Sequence, residues 1–257
     1  MPSVCFMMLY YGRKPVTRMS FYHLRKTLDL FNSLGVDAEA VVIGDEPDQQ
    51  ELAEALGFKH VWVENKPLNK KMMAGFQAAV DQGRDYVCWL GSNNVHDPEY
   101  FKDCIDMLGS RYSYFGGDNF LVIGDNREDT YRFRTKGIHL CSSGQFYKTE
   151  ALSGSINFDD KMSQNFDGKI NKAIYVKDKK NCVFKVSGTG YNCVDVKTGG
   201  DLHAFSKYAK TPYISDTTRQ SVLDKFEEVQ MLFDGEFSEE NYRTSVLATY
   251  LSESEHI

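Results

Sequence analysis

Polar and charged side chains gather at four places in the first hundred residues. Three groups follow apolar runs, at residues 10–13, 44–46 and 91–94, and the fourth is the Lys70-Lys71 pair. Carboxylates accept hydrogen bonds from a nucleobase or a ribose, whereas lysine and arginine bind phosphate oxygens. The residue types at these four places therefore indicate a nucleotide-binding site.

The regular alternation of the chain predicts that these groups share one site. Apolar runs alternate with segments of helical spacing, which is typical of a parallel sheet covered by helices on both faces. The carboxyl ends of parallel strands meet at one edge of such a sheet, and ligands bind there. The predicted strands are residues 4–11, 38–43, 60–63 and 85–90, and the predicted helices are residues 17–34, 48–56 with Asp48 as N-cap, and 69–80.

The pattern is less regular after residue 105. We predict extended segments at 112–123 and 130–140, short helices at 144–152 and 166–176, a hairpin of 183–186 with 191–196, and C-terminal helices at 221–233 and 238–251. Because no proline- or serine-rich linker divides the chain, we expect a single domain. Its expected parts are a site-bearing half at 1–105, a small antiparallel region at 106–214 and a helical appendage at 215–257.

Composition excludes several classes of protein. Hydrophobic residues make up 42% and charged residues 26% of the chain, as in an ordinary folded domain. The net charge of −6 argues against affinity for a polyphosphate backbone. The longest apolar run, residues 4–11, is far shorter than the roughly 20 residues of a membrane-spanning helix, and no secretory leader is visible. The six cysteines are scattered without a CxxC pair, so we expect reduced thiols in a soluble, cytoplasmic protein.

Four segments, taken in order, resemble the nucleotide-sugar half of GT-A-fold glycosyltransferases, particularly the family 2-type enzymes of bacteria and their phages. They are YYGR at 10–13, VVIGDE at 41–46, NKKMMAGFQAA at 69–79 and DYVCWLGSNNVHDPEYF at 85–101. The resemblance covers residues 4–105 and continues weakly through GQFY, NFDG and VDVK at 144–147, 165–168 and 194–197. It implies a GT-A, Rossmann-like fold and transfer of a sugar from a nucleoside diphosphate, such as UDP, to a hydroxyl.

The resemblance also implies which residues bind the donor. Asp45 corresponds to the family acid that contacts the base or ribose, while Lys70, Lys71 and Arg13 would face the diphosphate. The alternatives are a turn residue for Asp45, a solvated helix start for the two lysines and an ordinary surface arginine. The implied donor-binding residues are Tyr11, Arg13, Asp45, Lys70, Lys71, Ser92 and Asn93.

One departure concerns the metal. Asn93 and Asn94 stand where the family has paired aspartates that hold Mn2+ or Mg2+ against the diphosphate. Asparagine offers a carbonyl oxygen without the charge, so the affinity for a divalent cation should fall. The resemblance implies Asn94, His203 and Asp201 as metal ligands, and a structural role is the alternative for His203. Three outcomes stay open: a metal held by other acids, a metal-independent transferase that uses lysine or arginine, or a loss of catalysis.

Asp167 is the candidate general base. Inverting members of the family use a carboxylate on the acceptor side to take the proton from the acceptor hydroxyl. Phe166-Asp167-Gly168 resembles that segment and opens a predicted helix. Asp159 and Asp160 compete for the same role, and N-capping of a helix is the structural alternative for all three aspartates.

The acceptor is expected to be a glycan or, in a phage-type enzyme, a modified base of DNA. In the second case a cationic cluster would contact phosphates, with a solvated strand face as the alternative. The cluster is Arg127, Arg132, Arg134 and Lys136. Two other functions stay open, a GT-A-fold protein that binds a nucleotide sugar or partners an active subunit without catalysis, and a nucleotidyltransferase.

Overall fold

A computed structural model describes most of the chain. The described residues are 1–65, 68–124, 130–135, 140, 143–153, 166–179, 184–185, 191–198 and 217–241. Over these ranges the protein is a mixed α/β fold with a mostly parallel central sheet and flanking helices, as the sequence predicts.

The first ninety residues confirm the predicted alternation of strands and helices. The elements are β1 (Ser3–Leu9), α1 (Lys14–Ser33), β2 (Asp37–Gly44), α2 (Pro47–Ala55), β3 (Lys59–Trp62), α3 (Leu68–Asp81) and β4 (Tyr86–Gly91). The prediction of Asp48 as the N-cap of α2 is wrong. Pro47 begins this helix after Glu46, because its fixed φ suits the first helical position, and Asp48 lies in the first turn.

The remaining elements are shorter. They are β5 (Asn94–His96), α4 (Pro98–Met107), β6 (Tyr114–Gly116), β7 (Asn119–Gly124), β8 (Tyr131–Arg134), β9 (Gln145–Lys148), α5 (Thr149–Ser153), α6 (Phe166–Lys177), β10 (Phe184–Lys185), β11 (Cys193–Lys197), α7 (Arg219–Lys225) and α8 (Glu227–Phe233).

The central sheet has the strand order β10-β6-β9-β4-β1-β2-β3, in which β9 runs against its two neighbours. Side chains of β1 alternate between two apolar clusters, as expected for a strand buried on both faces. Phe6 packs with Phe31 of α1 on one face. Met7 belongs to the cluster on the other face, which includes Phe76 of α3. Burial on both faces fixes the register of the strands.

The second sheet has the order β5-β11-β7-β8. It combines antiparallel pairs with the parallel pair of β11 and β7. The prediction of one extended segment over residues 112–123 is wrong, because the chain leaves the central sheet after β6 and enters the second sheet at β7. The chain crosses at Gly117, where a Cβ atom would lie 2.1 Å from Cγ of Asn192, so only glycine allows this approach.

Two further predictions of secondary structure are wrong. Residues 144–152 were expected to form a helix, but β9 precedes α5 there, since Phe146 and Tyr147 are buried on opposite faces of the sheet. Residues 183–186 and 191–196 were expected to pair as a hairpin. Instead β10 pairs with β6, and β11 lies between β5 and β7, because its apolar residues need a neighbour on each side.

The predicted helix at 221–233 is two helices, which meet at the buried Phe226 with φ −120° and ψ 88°. Residues 238–241 form turns rather than the start of the predicted helix at 238–251, and residues beyond 241 lie outside the described ranges.

Among the described residues, every helix is too short or too polar to cross a bilayer. Cys5, Cys88 and Cys104 are buried free thiols, as predicted.

A buried polar network attaches α8 to α1. The backbone N–H of His96 donates to Nε2 of His23 at 2.8 Å, so Nδ1 of His23 carries the proton that it donates to Glu228 at 2.6 Å. Lys26 Nζ lies 3.2 Å from the second oxygen of Glu228. Burial alone raises the pKa of Glu228, but the hydrogen bond from His23 and the charge of Lys26 lower it below its ordinary value.

We predict that Glu228→Gln removes a specific part of the acid sensitivity of this protein. The folded-state pKa of Glu228 lies below its ordinary value of 4.5, so its contribution to stability is present above pH 4.5 and is lost as the pH falls below that value. The variant should be less stable at neutral pH by about 1–3 kcal/mol, because a charge-assisted hydrogen bond is lost, and it should lose less stability below pH 4.5.

Urea unfolding at several pH values measures both effects. Glu227→Gln is the matched control, because Glu227 also pairs with Lys26 but its side chain is 63% exposed. If the stability of Glu228→Gln depends on pH in the same way as that of the unmodified protein, the lowered folded-state pKa of Glu228 is contradicted.

Candidate functional site

The strand-end groups predicted from the sequence come together at the carboxyl edge of the central sheet. Leu9, the last residue of β1, pairs with Ile43 of β2 and with Gly91 of β4, so the three strands end at one level. The backbone N–H of Gly12 donates to a carboxylate oxygen of Glu46. We call this edge, with the loops that follow β1, β2 and β4, the mouth.

The loop after β4 is held against the first loop and helix α1. An Arg13 guanidinium nitrogen lies 3.4 Å from Oγ of Ser92, and Oγ of Ser20 donates to the carbonyl of Ser92 at 2.8 Å. Arg13 and Ser92, both predicted to bind the donor, are therefore neighbours in the mouth. Each of them is partly exposed.

The first loop adopts a strained backbone conformation. Arg13 has φ 46° and ψ 48°, and among the described residues it is the one non-glycine residue with a positive φ. The left-handed region costs a non-glycine residue about 1–2 kcal/mol. Thr17 stabilises the loop because its backbone N–H donates to the Arg13 carbonyl and its hydroxyl donates to the Gly12 carbonyl. Strain of this kind clusters at functional sites.

Lys71 lies beneath the mouth rather than at its surface. Its side chain is fully buried, and Nζ donates to the backbone carbonyl of Tyr10 and lies 3.4 Å from Oδ1 of Asn65. Burial lowers the pKa of Lys71, while the nearby carboxylates of Asp45 and Glu46 oppose that shift. Lys71 thus contributes positive charge from below and fixes the first loop.

Lys70 and Tyr11, also predicted to bind the donor, lie at the surface. Lys70 is exposed in the first turn of α3. Tyr11 is 52% exposed, and Trp62, at the end of the neighbouring edge strand β3, is 53% exposed. Trp62 pairs with Gly44 in the sheet, directly before Asp45. Two aromatic surfaces are therefore available at this side of the mouth.

Asp45 and Glu46 form the acidic side of the mouth, and each has a carboxylate oxygen without a hydrogen-bond partner among the described residues. Oδ2 of Asp45 accepts from the backbone N–H of Asn65 at 3.1 Å. Within the described part of the chain, Oδ1 of Asp45 and Oε2 of Glu46 are buried atoms without a hydrogen-bond partner. Buried acceptors normally have partners, so these two oxygens suit N–H or O–H groups of a ligand.

Asn93 joins the mouth to the second sheet. Its side-chain amide donates to Oδ1 of Asp195 at 2.6 Å and to the carbonyl of Val196 at 3.1 Å. Nζ of Lys197 lies 2.8 Å from the same Asp195 oxygen. The side chains of Asp195 and Lys197 are only 11% and 7% exposed. An amide and an ammonium group therefore converge on one carboxylate at the end of β11.

These donors do not fit a divalent cation. A metal bound to Asp195 Oδ1 would have to displace the Lys197 ammonium and would meet the N–H side of the Asn93 amide. Asn94 lies in β5 opposite Asp195, with its carbonyl oxygen 2.0 Å from where a Cβ atom on Gly91 would lie. In the part of the chain that the structure describes, no group of three or more His, Cys, Asp or Glu residues could hold a metal ion.

Asp201 and His203, two of the predicted metal ligands, lie outside the described ranges. Asp167 lies in the first turn of α6. Asp178, which follows α6, accepts a hydrogen bond from Ser113, the residue directly before β6. The competing Asp159 and Asp160 also lie outside the described ranges.

Of the predicted cationic cluster, Arg132 and Arg134 are exposed on β8. Arg134 is 3.6 Å from a carboxylate oxygen of Asp118. Arg127 and Lys136 lie outside the described ranges.

A cleft of about 600 Å³ opens at the amino ends of the strands, beside Arg84. It is on the opposite edge of the sheet from the mouth and contains no predicted site residue.

The candidate site includes residues that sequence reasoning missed. Asp195 and Lys197 are two positions apart in a strand, so they share one face, and their opposite charges amid valines were a signal for a buried ion pair. Glu46 stood in the acidic strand-end group, but nothing in the sequence indicated that it accepts from the Gly12 backbone across the mouth.

No protein-family model and no curated protein sequence matches this chain. Solved structures are similar to it in fold. S. aureus TarS 1-349 has a TM-score of 0.50 at 16% identity, over 76% of this chain and 60% of that chain. S. aureus TarS has a TM-score of 0.51 at 15% identity, over 98% of this chain and 42% of that chain. At these identities the similarity shows the fold alone, which is GT-A-like. This chain spans less than two thirds of the TarS chains.

We predict that Asn93→Asp creates sensitivity to a divalent cation. The substitution brings a second carboxylate within hydrogen-bonding distance of Asp195, which costs about 1–3 kcal/mol when no cation is present. Mn2+ would bind the two carboxylates in place of the Lys197 ammonium group and offset that cost. The melting temperature of the variant should fall in EDTA and recover with Mn2+, whereas the unmodified protein should melt at the same temperature in both.

Asn32→Asp, far from the mouth at the end of α1, is the control and should not respond to Mn2+. An unchanged melting temperature of Asn93→Asp on addition of Mn2+ would contradict the geometry given for Asn93.

Proposed function

We propose that this protein transfers a sugar from a nucleoside-diphosphate sugar to a hydroxyl acceptor in the cytoplasm. One observation carries the proposal: acceptors for a nucleoside and cations for a diphosphate converge where β1, β2 and β4 end together. The GT-A-like fold supports this function because ligands of open α/β sheets bind at the carboxyl ends of the strands. The chain is proposed to act as one domain, with residues 106–214 on the acceptor side.

The nucleoside is proposed to bind over the acidic side of the mouth. The free oxygens of Asp45 and Glu46 would accept hydrogen bonds from the base and from ribose hydroxyls. The exposed Tyr11 ring supplies an apolar surface for stacking. A nucleoside satisfies two buried acceptors that otherwise cost free energy, which favours it over a purely anionic ligand.

The diphosphate is proposed to bind between the first loop and the loop after β4. Arg13 and Ser92, which are neighbours there, would donate to phosphate oxygens, and Lys70 extends from the start of α3. The buried charge of Lys71 adds to the positive potential without direct contact. Arginine suits phosphate because its planar guanidinium presents several N–H donors in a fixed geometry.

The proposed reaction is a displacement at the anomeric carbon. The acceptor oxygen forms a bond to that carbon while the bond to the diphosphate oxygen breaks, and the electron pair of the broken bond stays on the diphosphate. The acceptor proton passes to the carboxylate of Asp167, which acts as general base. Cations at the mouth stabilise the departing diphosphate, since charge develops there in the transition state. The acceptor would be a glycan or a modified nucleic-acid base.

A second function has one observation in its favour. The hydrogen bond from Asn93 to Asp195 occupies the position at which the resemblance implies a catalytic metal. A protein that binds a nucleotide sugar without turning it over, or that partners an active subunit, would have no need of that metal.

We predict that the protein binds a nucleoside diphosphate and hydrolyses or transfers from the matching sugar donor. Calorimetry with UDP, GDP, CDP and ADP measures binding, and release of free diphosphate from the sugar donors measures turnover, each with and without Mn2+. Asp45→Asn should weaken binding about tenfold because an acceptor is lost, whereas Asp29→Asn, exposed on α1, should not.

The outcomes separate the rival functions. Binding without turnover, with every acceptor tried, would support the non-catalytic protein, and release of pyrophosphate from a nucleoside triphosphate would support a nucleotidyltransferase. Neither binding nor turnover with any of the nucleotides would contradict the proposal.

We predict that Asp167→Asn lowers kcat by about 10²–10⁴-fold while the donor still binds, because the amide cannot take the acceptor proton. Steady-state kinetics and calorimetry measure the two quantities. Asp159→Asn and Asp160→Asn test the competing aspartates in the same assay. A normal kcat in Asp167→Asn, or loss in one of the other variants instead, would assign the base elsewhere.

A further inference from the structure

We infer that Lys197 supplies the positive charge that binds the donor diphosphate, so that donor binding needs no divalent cation. The inference rests on the proposed function and concerns how the same site handles the charge of its substrate. It assigns a ligand contact to a residue of the second sheet, outside the strand-end groups of the central sheet.

A continuous series of contacts brings Lys197 to the mouth. Arg13 contacts Ser92, whose neighbour Asn93 donates to Asp195, and Lys197 lies 2.8 Å from the same Asp195 oxygen. A backbone hydrogen bond also joins the loop after β4 to β11, because the N–H of Val196 donates to the Asn93 carbonyl at 2.8 Å. Lys197 is thus linked, through Asp195 and Val196, to the loop that would bind the diphosphate.

The charge arrangement favours a ligand role over a purely structural one. A lysine that is 7% exposed loses most of its hydration, and Asp195 also accepts from Asn93, so that carboxylate is shared between two donors. Lysine forms strong charge-assisted hydrogen bonds with phosphate oxygens, and the contact with Asp195 fixes the orientation of the Lys197 ammonium group.

The same arrangement disfavours a divalent cation at Oδ1 of Asp195. Oδ1 of Asp195 already receives the amide of Asn93 and the ammonium of Lys197. A divalent cation within bonding distance of that oxygen would repel the ammonium nitrogen and face an N–H group. The lysine occupies the place and performs the charge neutralisation that a metal would otherwise provide.

Calorimetry with UDP and UMP tests the inference, with GDP and GMP as the second pair if the uridine nucleotides do not bind. In EDTA the unmodified protein should bind the diphosphate as tightly as with Mn2+. The double variant Asp195→Asn with Lys197→Met removes both charges together, so no unpaired charge stays buried. It should bind UDP about 10- to 100-fold more weakly and bind UMP about as well as before.

Two further variants serve as controls. Lys197→Arg keeps the charge and should bind UDP in EDTA nearly as well as the unmodified protein. Lys59→Met removes an exposed, ion-paired lysine away from the mouth and should leave both affinities unchanged. If the double variant does not fold, Lys197→Gln, which removes the positive charge and keeps an N–H donor towards Asp195, replaces it in the comparison of UDP with UMP.

The outcomes distinguish this inference from the function on which it rests. Binding of diphosphates that requires Mn2+ would overturn the metal-independent role of Lys197 and leave the proposed function intact. An equal loss of UDP and UMP affinity in the double variant would show a structural role and overturn the inference. Failure of every nucleotide to bind would overturn the proposed function and the inference with it.

Discussion

The parallel alignment of β1, β2 and β4 is the constraint on which the site depends. Leu9 is opposite both Ile43 and Gly91, so three loops leave the sheet at the same level. A shift of one residue in this register would turn Phe6 and Met7 to the wrong faces of the sheet and break both apolar clusters. The packing of the core therefore fixes the position of polar residues that take no part in that packing.

Beyond the strand ends, polar contacts rather than apolar packing determine the shape of the mouth. Lys71 fixes the first loop from below, and Glu46 fixes it from the side. Asn93 continues the series into the second sheet, where Asp195 and Lys197 add a buried pair of opposite charges. The two sheets are thus joined by polar contacts at the mouth.

The sequence predicts the first half of the fold well because each segment there has a clear period and a clear end. Gly91 and the groups at 10–13 and 44–46 could be assigned to one edge for that reason. The fold of the second half was predicted less well for two reasons. The chain passes from one sheet to the other at Gly117, and the apolar pattern of β9 does not distinguish a strand from a helix unless the neighbouring strands are known. Lys71 was predicted to face the diphosphate, with a solvated helix start as the alternative; its burial could not be predicted because it depends on a carbonyl sixty-one residues away. The role of Asp167 stays a prediction.

Hydrogen exchange of the backbone amides, with and without a saturating nucleoside diphosphate, tests most directly whether the mouth is the binding site. We predict slower exchange at residues 10–13, 44–46 and 91–94, because these loops would be ordered by the ligand, and little change at the opposite edge of the sheet. Protection confined to the cleft beside Arg84, or no protection anywhere, would contradict the account.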